Sequence, residues 1–147
     1  MFVYEVMKTD VHTIHPEATF NEILDILLEQ RISGVPVVTD DGSIVGILSE
    51  KDLFSFMFPV EEEFYANIEY WKNPKHLEDG ARNVSKMRAK DFLTREVITV
   101  RPSDTVMTAC SLLLVHKIRR LPVVQDKKMV GIVTTNDLYR NFLGTFV

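Results

Sequence analysis

Two short segments of the sequence share a pattern that could hold a small molecule. Residues 46–53 read GILSEKDL and residues 131–138 read GIVTTNDL, so in both a hydroxyl residue precedes an aspartate by three positions, as Ser49 with Asp52 and Thr134 with Asp137. At a helix start, free backbone N–H groups and the positive end of the helix dipole attract phosphate. A nearby carboxylate can accept hydrogen bonds from both vicinal hydroxyls of a ribose. The pattern is therefore compatible with a ribose-phosphate site in each segment.

The same residues also have a purely structural interpretation. Serine and threonine are favoured N-cap residues, and an acidic residue three positions later completes a capping box that satisfies free N–H groups of the first turn. In that case Ser49 and Thr134 start helices without any ligand. The residues alone leave both interpretations open.

Both segments belong to an internal repeat. Residues 7–40 align with 93–126 at an offset of 86, and after a one-residue gap in a turn residues 44–53 align with 129–138 at an offset of 85. The alignment contains 16 identities in 44 positions. A unit of about 50 residues that occurs twice indicates a pseudo-twofold arrangement in which each half covers the apolar face of the other.

Each copy of the repeat predicts the element order β-α-β-β-α. An extended segment, residues 11–14 or 97–100, is followed by a proline and then by a helix with apolar residues at helical spacing. Two runs rich in β-branched residues come next, VPVVT with IVGILS and LPVVQ with MVGIVT. A second helix is predicted to start at Ser49 or Thr134. The apolar residues of the first helix are Phe20, Ile23, Leu24, Leu27 and Leu28 in copy one, and Val106, Ala109, Cys110, Leu113 and Leu114 in copy two.

An insert separates the two copies. Residues 58–86 are acidic, aromatic and favourable for helices, with a break predicted at Asn73-Pro74. The predicted organisation is therefore repeat one at 3–57, a helical connector at 58–86 and repeat two at 87–143. The aromatic residues of the connector either pack it onto the repeats or form a lid or partner surface; they are Phe64, Tyr65, Tyr70 and Trp71.

Composition narrows the classes of function. Lys plus Arg number 17 against 21 Asp plus Glu, a net charge of −4 that disfavours nucleic-acid binding through general electrostatics. The sequence has no apolar run of about 20 residues and no signal-peptide pattern, so we expect a cytoplasmic protein without a membrane segment.

A single cysteine, Cys110 on an apolar helix face, and 4 histidines without ligand spacing predict no metal site. No nucleophile or acid-base set and no glycine-rich nucleotide loop is recognisable, so we expect no enzyme.

The doubled pattern closely resembles the CBS domain, named for cystathionine β-synthase, as the tandem pair called a Bateman module. Each copy has Pro-x-x-Thr before a helix, then Ile-x-x-Val/Leu-Pro-Val-Val, then Gly-Ile-Val/Leu-Ser/Thr-x-x-Asp-Leu. The resemblance covers residues 3–57 and 87–143. It implies an α/β fold of the α+β type, in which two pseudo-twofold-related β-α-β-β-α repeats pack sheet to sheet with the helical insert between them.

The resemblance also implies a function and a set of site residues. CBS pairs are regulatory modules whose clefts bind an adenosine-containing ligand such as AMP, ADP, ATP, NAD or S-adenosylmethionine. The ribose-binding pairs would be Ser49 with Asp52 and Thr134 with Asp137. The adenine-lining residues would be Thr13, Ile14, Thr99 and Val100.

The two copies differ where a phosphate would bind. Copy two has Arg119 and Arg120 before its Leu-Pro-Val-Val strand, where copy one has Ser33 and Gly34. Arginine presents a planar fork of donors that suits phosphate. We therefore predict one site from Asp52, Ser49 and Arg119 or Arg120 that prefers a phosphorylated ligand. The second site, around Asp137, Thr134 and Ser33, should bind more weakly or prefer less charge; solvated surface arginines are the alternative.

Three classes of function follow. The leading hypothesis is a stand-alone sensor that binds an adenosine compound and passes the signal to a separate regulated protein, because a ligand shifts only states for which its affinities differ. The second is a structural or dimerisation module with empty clefts. An enzyme is the third and least favoured. We expect a homodimer through helices that start at Thr19, Ser49, Thr105 and Thr134.

Overall fold

The structure is a computed structural model that describes residues 1–58, 61–93 and 96–146. Residues 59–60 of the predicted insert and residues 94–95 of the second repeat lie outside the described residues, as does the last residue. The helices are α1 (Val3–Val6), α2 (Phe20–Glu29), α3 (Glu50–Met57), α4 (Glu61–Ala66), α5 (Ile68–Trp71), α6 (Pro74–Val84), α7 (Val106–His116) and α8 (Thr135–Gly144), with a 3-10 helix at Ala89–Phe92. The strands are β1 (Gly34–Val38), β2 (Ile44–Ser49), β3 (Arg120–Gln125) and β4 (Lys128–Thr134).

The strands form two separate two-stranded sheets, β1 with β2 and β3 with β4. The predicted extended segments at 11–14 and 97–100 join these sheets through one residue each, as parallel bridges Ile14–Val37 and Val100–Val123. A proline, which lacks an N–H group, follows two positions later and ends the pairing in that direction. Each copy therefore keeps the predicted order, with its first strand reduced to a bridge.

Local capping bonds set where the first helices start. The Thr19 hydroxyl accepts the Glu22 N–H at 3.3 Å, and at the equivalent position the Thr105 hydroxyl accepts the Thr108 N–H at 3.1 Å. In the insert, the predicted break at Asn73-Pro74 is the start of α6, where Asn73 Oδ1 accepts the Lys75 N–H at 3.0 Å. These bonds join residues two or three positions apart, so the sequence is sufficient to predict them.

The chain divides into two compact units. The first, called the Asp52 unit here, comprises His12–Val37 and Val45–Arg95; the second, the Asp137 unit, comprises Met1–Val11, Val38–Ile44 and Glu96–Val147. The leading segment of each repeat is exchanged, because α1 belongs to the Asp137 unit and the 3-10 helix Ala89–Phe92 belongs to the Asp52 unit. Each unit thus combines most of one repeat with the leading segment of the other.

Each unit has its own apolar core. The core of the Asp52 unit contains Ile14, Ala18, Ile23, Leu27, Val35, Val37, Leu48, Leu53, Val84, Ala89 and Phe92. The core of the Asp137 unit contains Val3, Val6, Val100, Val106, Ala109, Leu113, Leu121, Val123, Val133 and Leu138. Full burial of a leucine or isoleucine contributes about 1.5–3 kcal/mol, so these clusters hold the exchanged segments in place.

On α2 and α7, the apolar face predicted from the sequence is wider than the face that is buried in the structure. Ile23 and Leu27 are buried, but Leu28 is 69% exposed and its counterpart Leu114 is 71% exposed. Neighbouring residues on a helix point about 100° apart, so Leu28 lies beside the core-facing stripe instead of on it. Both copies expose the same leucine.

The insert attaches through its last helix. Val84 of α6 is buried in the core of the Asp52 unit, and a Cβ atom on Gly80 would lie 3.0 Å from the Met57 carbonyl oxygen at the end of α3. The aromatic residues contact one another and His76, whose ring stacks on Tyr70 with centroids 3.6 Å apart. Tyr65 and Tyr70 remain exposed.

Candidate functional site

The first candidate site lies where β2 runs into α3. The Ser49 N–H and the Ser49 hydroxyl both donate to Asp52 Oδ2, at 2.8 Å and 2.9 Å, and the Asp52 N–H donates back to Ser49 Oγ at 3.3 Å. The capping box predicted from the sequence is therefore present. It fixes the half-buried carboxylate in one orientation and uses only one of its two oxygens.

The neighbouring predicted residues are placed by backbone hydrogen bonds. The Glu50 N–H donates to the Ser33 carbonyl at 2.9 Å, which ties the start of α3 to the residue before β1. The Ile14 N–H donates to the Pro36 carbonyl at 3.0 Å. Thr13 is exposed, whereas the Ile14 side chain is part of the core.

The second candidate site repeats this geometry in the Asp137 unit. The Thr134 N–H and hydroxyl donate to Asp137 Oδ2 at 3.2 Å and 2.8 Å, and the Asp137 N–H donates to Thr134 Oγ1 at 3.3 Å. The Thr135 N–H donates to the Arg119 carbonyl at 3.0 Å, as Glu50 does to Ser33. The two capped aspartates are thus built by the same bonds.

Val100 and Thr99 occupy the places of Ile14 and Thr13. The Val100 N–H donates to the Pro122 carbonyl at 3.0 Å, and its carbonyl accepts the Val124 N–H at 2.8 Å. Val100 is buried in the core of its unit and Thr99 is exposed. In both units, therefore, the threonine and not its apolar neighbour presents a side chain to solvent.

These bonds change one expectation about phosphate. The N–H groups of Ser49, Glu50 and Asp52 all have protein partners, and the equivalent groups at the start of α8 are bonded in the same way. A phosphate therefore does not find these first-turn donors free, because the caps have already satisfied them.

The two sites differ at the second carboxylate oxygen. Lys8 Nζ lies 3.2 Å from Asp137 Oδ1, with the Asp137 side chain only 12% exposed and that of Lys8 64% exposed. Within residues 1–58, 61–93 and 96–146, no cation forms an ion pair with Asp52. The repeat equivalent of Lys8 is the uncharged Thr94, which lies outside the described residues.

The predicted phosphate-binding residues lie in both units. Arg120 begins β3 opposite Thr134, next to the half-buried cap of α8, and Arg119 before it is exposed. Ser33 is exposed in the Asp52 unit. The predicted pairing of Asp52 with Arg119 or Arg120, and that of Asp137 with Ser33, each join residues of different units and remain predictions.

Sequence analysis missed the roles of two glycines and Lys8. A Cβ atom on Gly131 would lie 2.8 Å from the Lys8 carbonyl oxygen and 2.9 Å from Met7 Sδ, and one on Gly46 would lie 2.5 Å from Leu93 Cδ2. Glycine therefore leaves room for the exchanged leading segment beside β2 and β4. The identity of the two glycines in the repeat was the available signal, but nothing in the sequence pointed to Lys8.

Three other features bear on the function: the surroundings of Cys110, the grouping of possible metal ligands, and the length of the apolar helices. Cys110 packs against the core of the Asp137 unit, and burial raises the pKa of its thiol, which makes it a poorer nucleophile. The described residues contain no cluster of three or more His, Cys, Asp or Glu that could hold a metal ion. No helix in the described parts of the chain combines the length and apolar character that spanning a bilayer requires.

A family model matches most of the chain. The model of the CBS domain aligns with residues 3–58 and again with residues 89–144. The two matches coincide closely with the two copies of the sequence repeat. The first matched range begins with α1 and the second with the 3-10 helix Ala89–Phe92. These are the leading segments of the two repeats, each of which belongs to the other repeat's compact unit.

Individual proteins are similar over nearly the full chain. The uncharacterized protein MJ1426 of Methanocaldococcus jannaschii is 29% identical, with 94% of this chain and 89% of that protein aligned. The chloroplastic CBS domain-containing protein CBSX1 of Arabidopsis thaliana is 31% identical over 90% of this chain, which spans only 59% of that relative's length. A crystal structure of CBSX2 in complex with AMP, 28% identical, superimposes with a TM-score of 0.76 and covers 99% of this chain and 98% of that one; CBSX2 is also from Arabidopsis thaliana.

Proposed function

The chain belongs to the CBS domain family, and we propose that it is a non-catalytic regulatory module that binds an adenosine-containing ligand. The family and the fold class predicted from the sequence, two mixed α and β repeats, are confirmed by the family match and by the similar solved structures. The ligand class and the site residues are the proposal.

One observation carries the proposal. The capping box holds Asp52 Oδ2 with two hydrogen bonds from Ser49, while Oδ1 has no hydrogen-bond or ion-pair partner within the described part of the chain. A carboxylate oxygen can accept more than one hydrogen bond, so Asp52 is oriented to receive the two hydroxyls of a ribose. Because the orientation exists before binding, the ligand does not bear the entropy cost of ordering this side chain.

A similar protein supports the adenosine part of the proposal. CBSX2 binds AMP in its crystal structure, and that structure matches 99% of this chain at 28% identity. We propose that Asp52 and Ser49 bind the ribose, with Thr13 and the backbone of Ile14 beside the base. Arg119 or Arg120 would bind a phosphate of the same ligand. AMP, ADP, ATP, NAD and S-adenosylmethionine are the candidates.

Thermal unfolding against these compounds and adenosine tests the proposal. A ligand that binds only the folded state adds about 2.7 kcal/mol at 100 times its Kd, enough to raise the Tm by several degrees. Most of the shift should be lost in Asp52→Asn, which keeps an oxygen for the cap but removes the charge; the weaker Asp137 site accounts for what remains. Asp25→Asn, an exposed aspartate of the same unit on α2, is the matched control and should keep the full shift.

The opposite result is equally clear. If no compound at millimolar concentration shifts the Tm of the wild-type protein, the adenosine proposal is wrong. If D52N keeps the full wild-type shift, Asp52 does not bind the ligand and its assignment is wrong.

Exposed apolar residues favour a second function, that of a dimerisation module with empty clefts. Helix α7 carries no acidic residue, and Met107, Leu114 and Val115 are 63%, 71% and 74% exposed. Exposed apolar residues grouped on one helix are typical of a surface that another protein covers. Light scattering should then give a mass near twice 16.9 kDa for the wild type and near 16.9 kDa for Leu114→Glu. A dimer without any ligand-induced Tm shift would favour this function over the sensor.

In the sensor, the signal passes to a separate protein. A ligand can transmit a signal only if it binds two arrangements of the module with different affinity. We propose a homodimer whose geometry depends on the ligand and which acts on a regulated partner in the cytoplasm. Small-angle scattering with and without the compound that raises the Tm tests for this change, and identical curves would contradict it.

A further inference from the structure

Resting on the proposed function, we infer that Lys8 competes with ribose for the Asp137 carboxylate and makes the Asp137 site the weaker of the two. The inference assigns a specificity role to a residue of the leading segment. It also gives a physical reason for unequal ribose binding that is independent of the arginines predicted to bind phosphate.

The contact occupies the oxygen that a ribose needs. Asp137 Oδ2 already accepts two hydrogen bonds from Thr134, and Lys8 Nζ lies 3.2 Å from Oδ1. Both carboxylate oxygens therefore have partners before any ligand arrives. At Asp52 the equivalent Oδ1 has no ion-pair partner among the described residues, so none of their cations competes with a diol there.

The backbone holds Lys8 in this place. Its N–H donates to the Ile132 carbonyl and its carbonyl accepts the Ile132 N–H, both at 2.9 Å. Gly131 permits the approach, and the buried Val3 and Val6 of α1 hold the preceding turn in the core. The Lys8 backbone is therefore fixed beside β4 by two hydrogen bonds. Its contact with Asp137 can be broken by rotation of the Lys8 side chain alone.

The strength of the competition follows from exposure. An ion pair with one exposed partner contributes little, and measured surface pairs correspond to at most about a fivefold change in an equilibrium constant. Because Asp137 is only 12% exposed, the pair lies toward the upper part of that range. A neutral diol must displace the ammonium or share Oδ1 with it, so we expect three- to fivefold weaker ribose binding, roughly within that range.

Adenosine is the probe, because it carries the ribose but no phosphate that Lys8 could bind. Titrations are made in the Asp52→Asn background, so that they measure adenosine binding at the Asp137 site alone. Adding Lys8→Thr, the residue found at the repeat equivalent Thr94, should tighten adenosine binding about three- to fivefold. Lys128→Thr, which removes another exposed lysine from the same unit, is the charge-matched control and should leave the affinity unchanged.

Salt gives a second readout of the same competition. Raising the salt concentration from about 50 mM to about 500 mM shortens the Debye length and weakens the Lys8–Asp137 pair. Adenosine should then bind D52N more tightly, and the salt effect should disappear in D52N/K8T. An equal salt effect in both variants would overturn the inference.

The outcomes separate the inference from the proposed function. If D52N/K8T binds adenosine no more tightly than D52N, Lys8 is not a competitor, although the adenosine function stands. If K8T weakens AMP binding but leaves adenosine unchanged, Lys8 binds phosphate and the inference is wrong. If the wild-type protein binds neither adenosine nor any adenosine nucleotide, the proposed function fails and the inference fails with it.

Discussion

The Asp52 and Asp137 units build the same capped aspartate and surround it differently. The capping bonds agree to within a few tenths of an ångström, at 2.8–3.3 Å in both units. Among residues 1–58, 61–93 and 96–146, Asp137 has an ion pair, with Lys8, and Asp52 has none. Backbone symmetry is thus retained where the local sequence repeats, and it is broken by a side chain that arrives from a distant segment. Equivalence in the repeat therefore predicts how the capped aspartate is built but not which other side chains contact it.

The exchanged leading segments also make equivalent backbone contacts and different side-chain contacts. Both are held by equivalent backbone bridges, Thr19–Arg88 in the Asp52 unit and Phe2–Thr105 in the Asp137 unit. Around the first bridge the segment is held by charge, since Lys90 Nζ lies 2.6 Å from Glu17 Oε1. Around the second, the rings of Phe2 and Tyr4 stack with centroids 5.7 Å apart. Equivalent backbone contacts are therefore accompanied by an ion pair across the bridge in one unit and by an aromatic pair within the leading segment in the other.

Adding a methyl group to each repeat glycine should produce the largest difference between the units. Gly131→Ala places its Cβ against a backbone oxygen of Lys8 that cannot turn away, and we expect a loss of about 2–3 kcal/mol in the free energy of unfolding. Gly46→Ala meets the end of the Leu93 side chain, which can rotate, so the loss should be about 1 kcal/mol. Urea unfolding followed by circular dichroism measures both. Equal losses would mean that the two leading segments approach their strands in the same way.

Removing the capping hydroxyls should have a smaller effect, and an equal one. Ser49→Ala and Thr134→Ala each delete one N-cap, and each should cost about 1 kcal/mol because the bonds match. The same urea experiment applies. The control is Ser55→Ala, whose exposed hydroxyl donates only to the Asp52 carbonyl and should change stability by a few tenths of that amount. A clear inequality between the two caps would show that the sites differ in more than Lys8.

Acid should weaken the ion-held segment only slightly. The hydrogen bond from Lys90, with the charges of Lys90 and Arg88, holds the pKa of Glu17 below its ordinary value of 4.5. A depressed folded-state pKa stabilises the protein above the unfolded-state pKa, and this contribution is lost as pH falls through the folded-state pKa. Glu17→Gln should therefore lower the urea midpoint slightly near neutral pH and leave it unchanged well below pH 4.5.

The control for this acid effect is Glu29→Gln, an exposed glutamate without an ion pair in the described part of the chain. It should follow the wild-type pH profile throughout. Wild-type and E17Q midpoints that differ by the same amount at every pH would contradict the ion-pair explanation.

The repeat, the order of the helices and strands that follow each leading segment, and the caps at Ser49 and Thr134 could be predicted from the sequence; the short helices α1 and Ala89–Phe92 were not. These features depend on bonds between residues three positions apart or on an apolar period within one element, so each is encoded in a short stretch of chain. The predicted capping box and the predicted ribose-binding pair are the same residues for this reason. Their local spacing satisfies both interpretations; the structure shows the capping box, and ribose binding remains a prediction.

Only the tertiary structure decided which contacts each capped aspartate makes. The exchange of leading segments brings Lys8 to Asp137 from the opposite end of the chain, and it explains why Gly46 and Gly131 lack side chains. Packing also exposed Leu28 and Leu114, which the helical period alone placed on an apolar face. Such contacts depend on which apolar surfaces meet after the elements have formed, and that information is spread over the whole chain instead of any single segment of it.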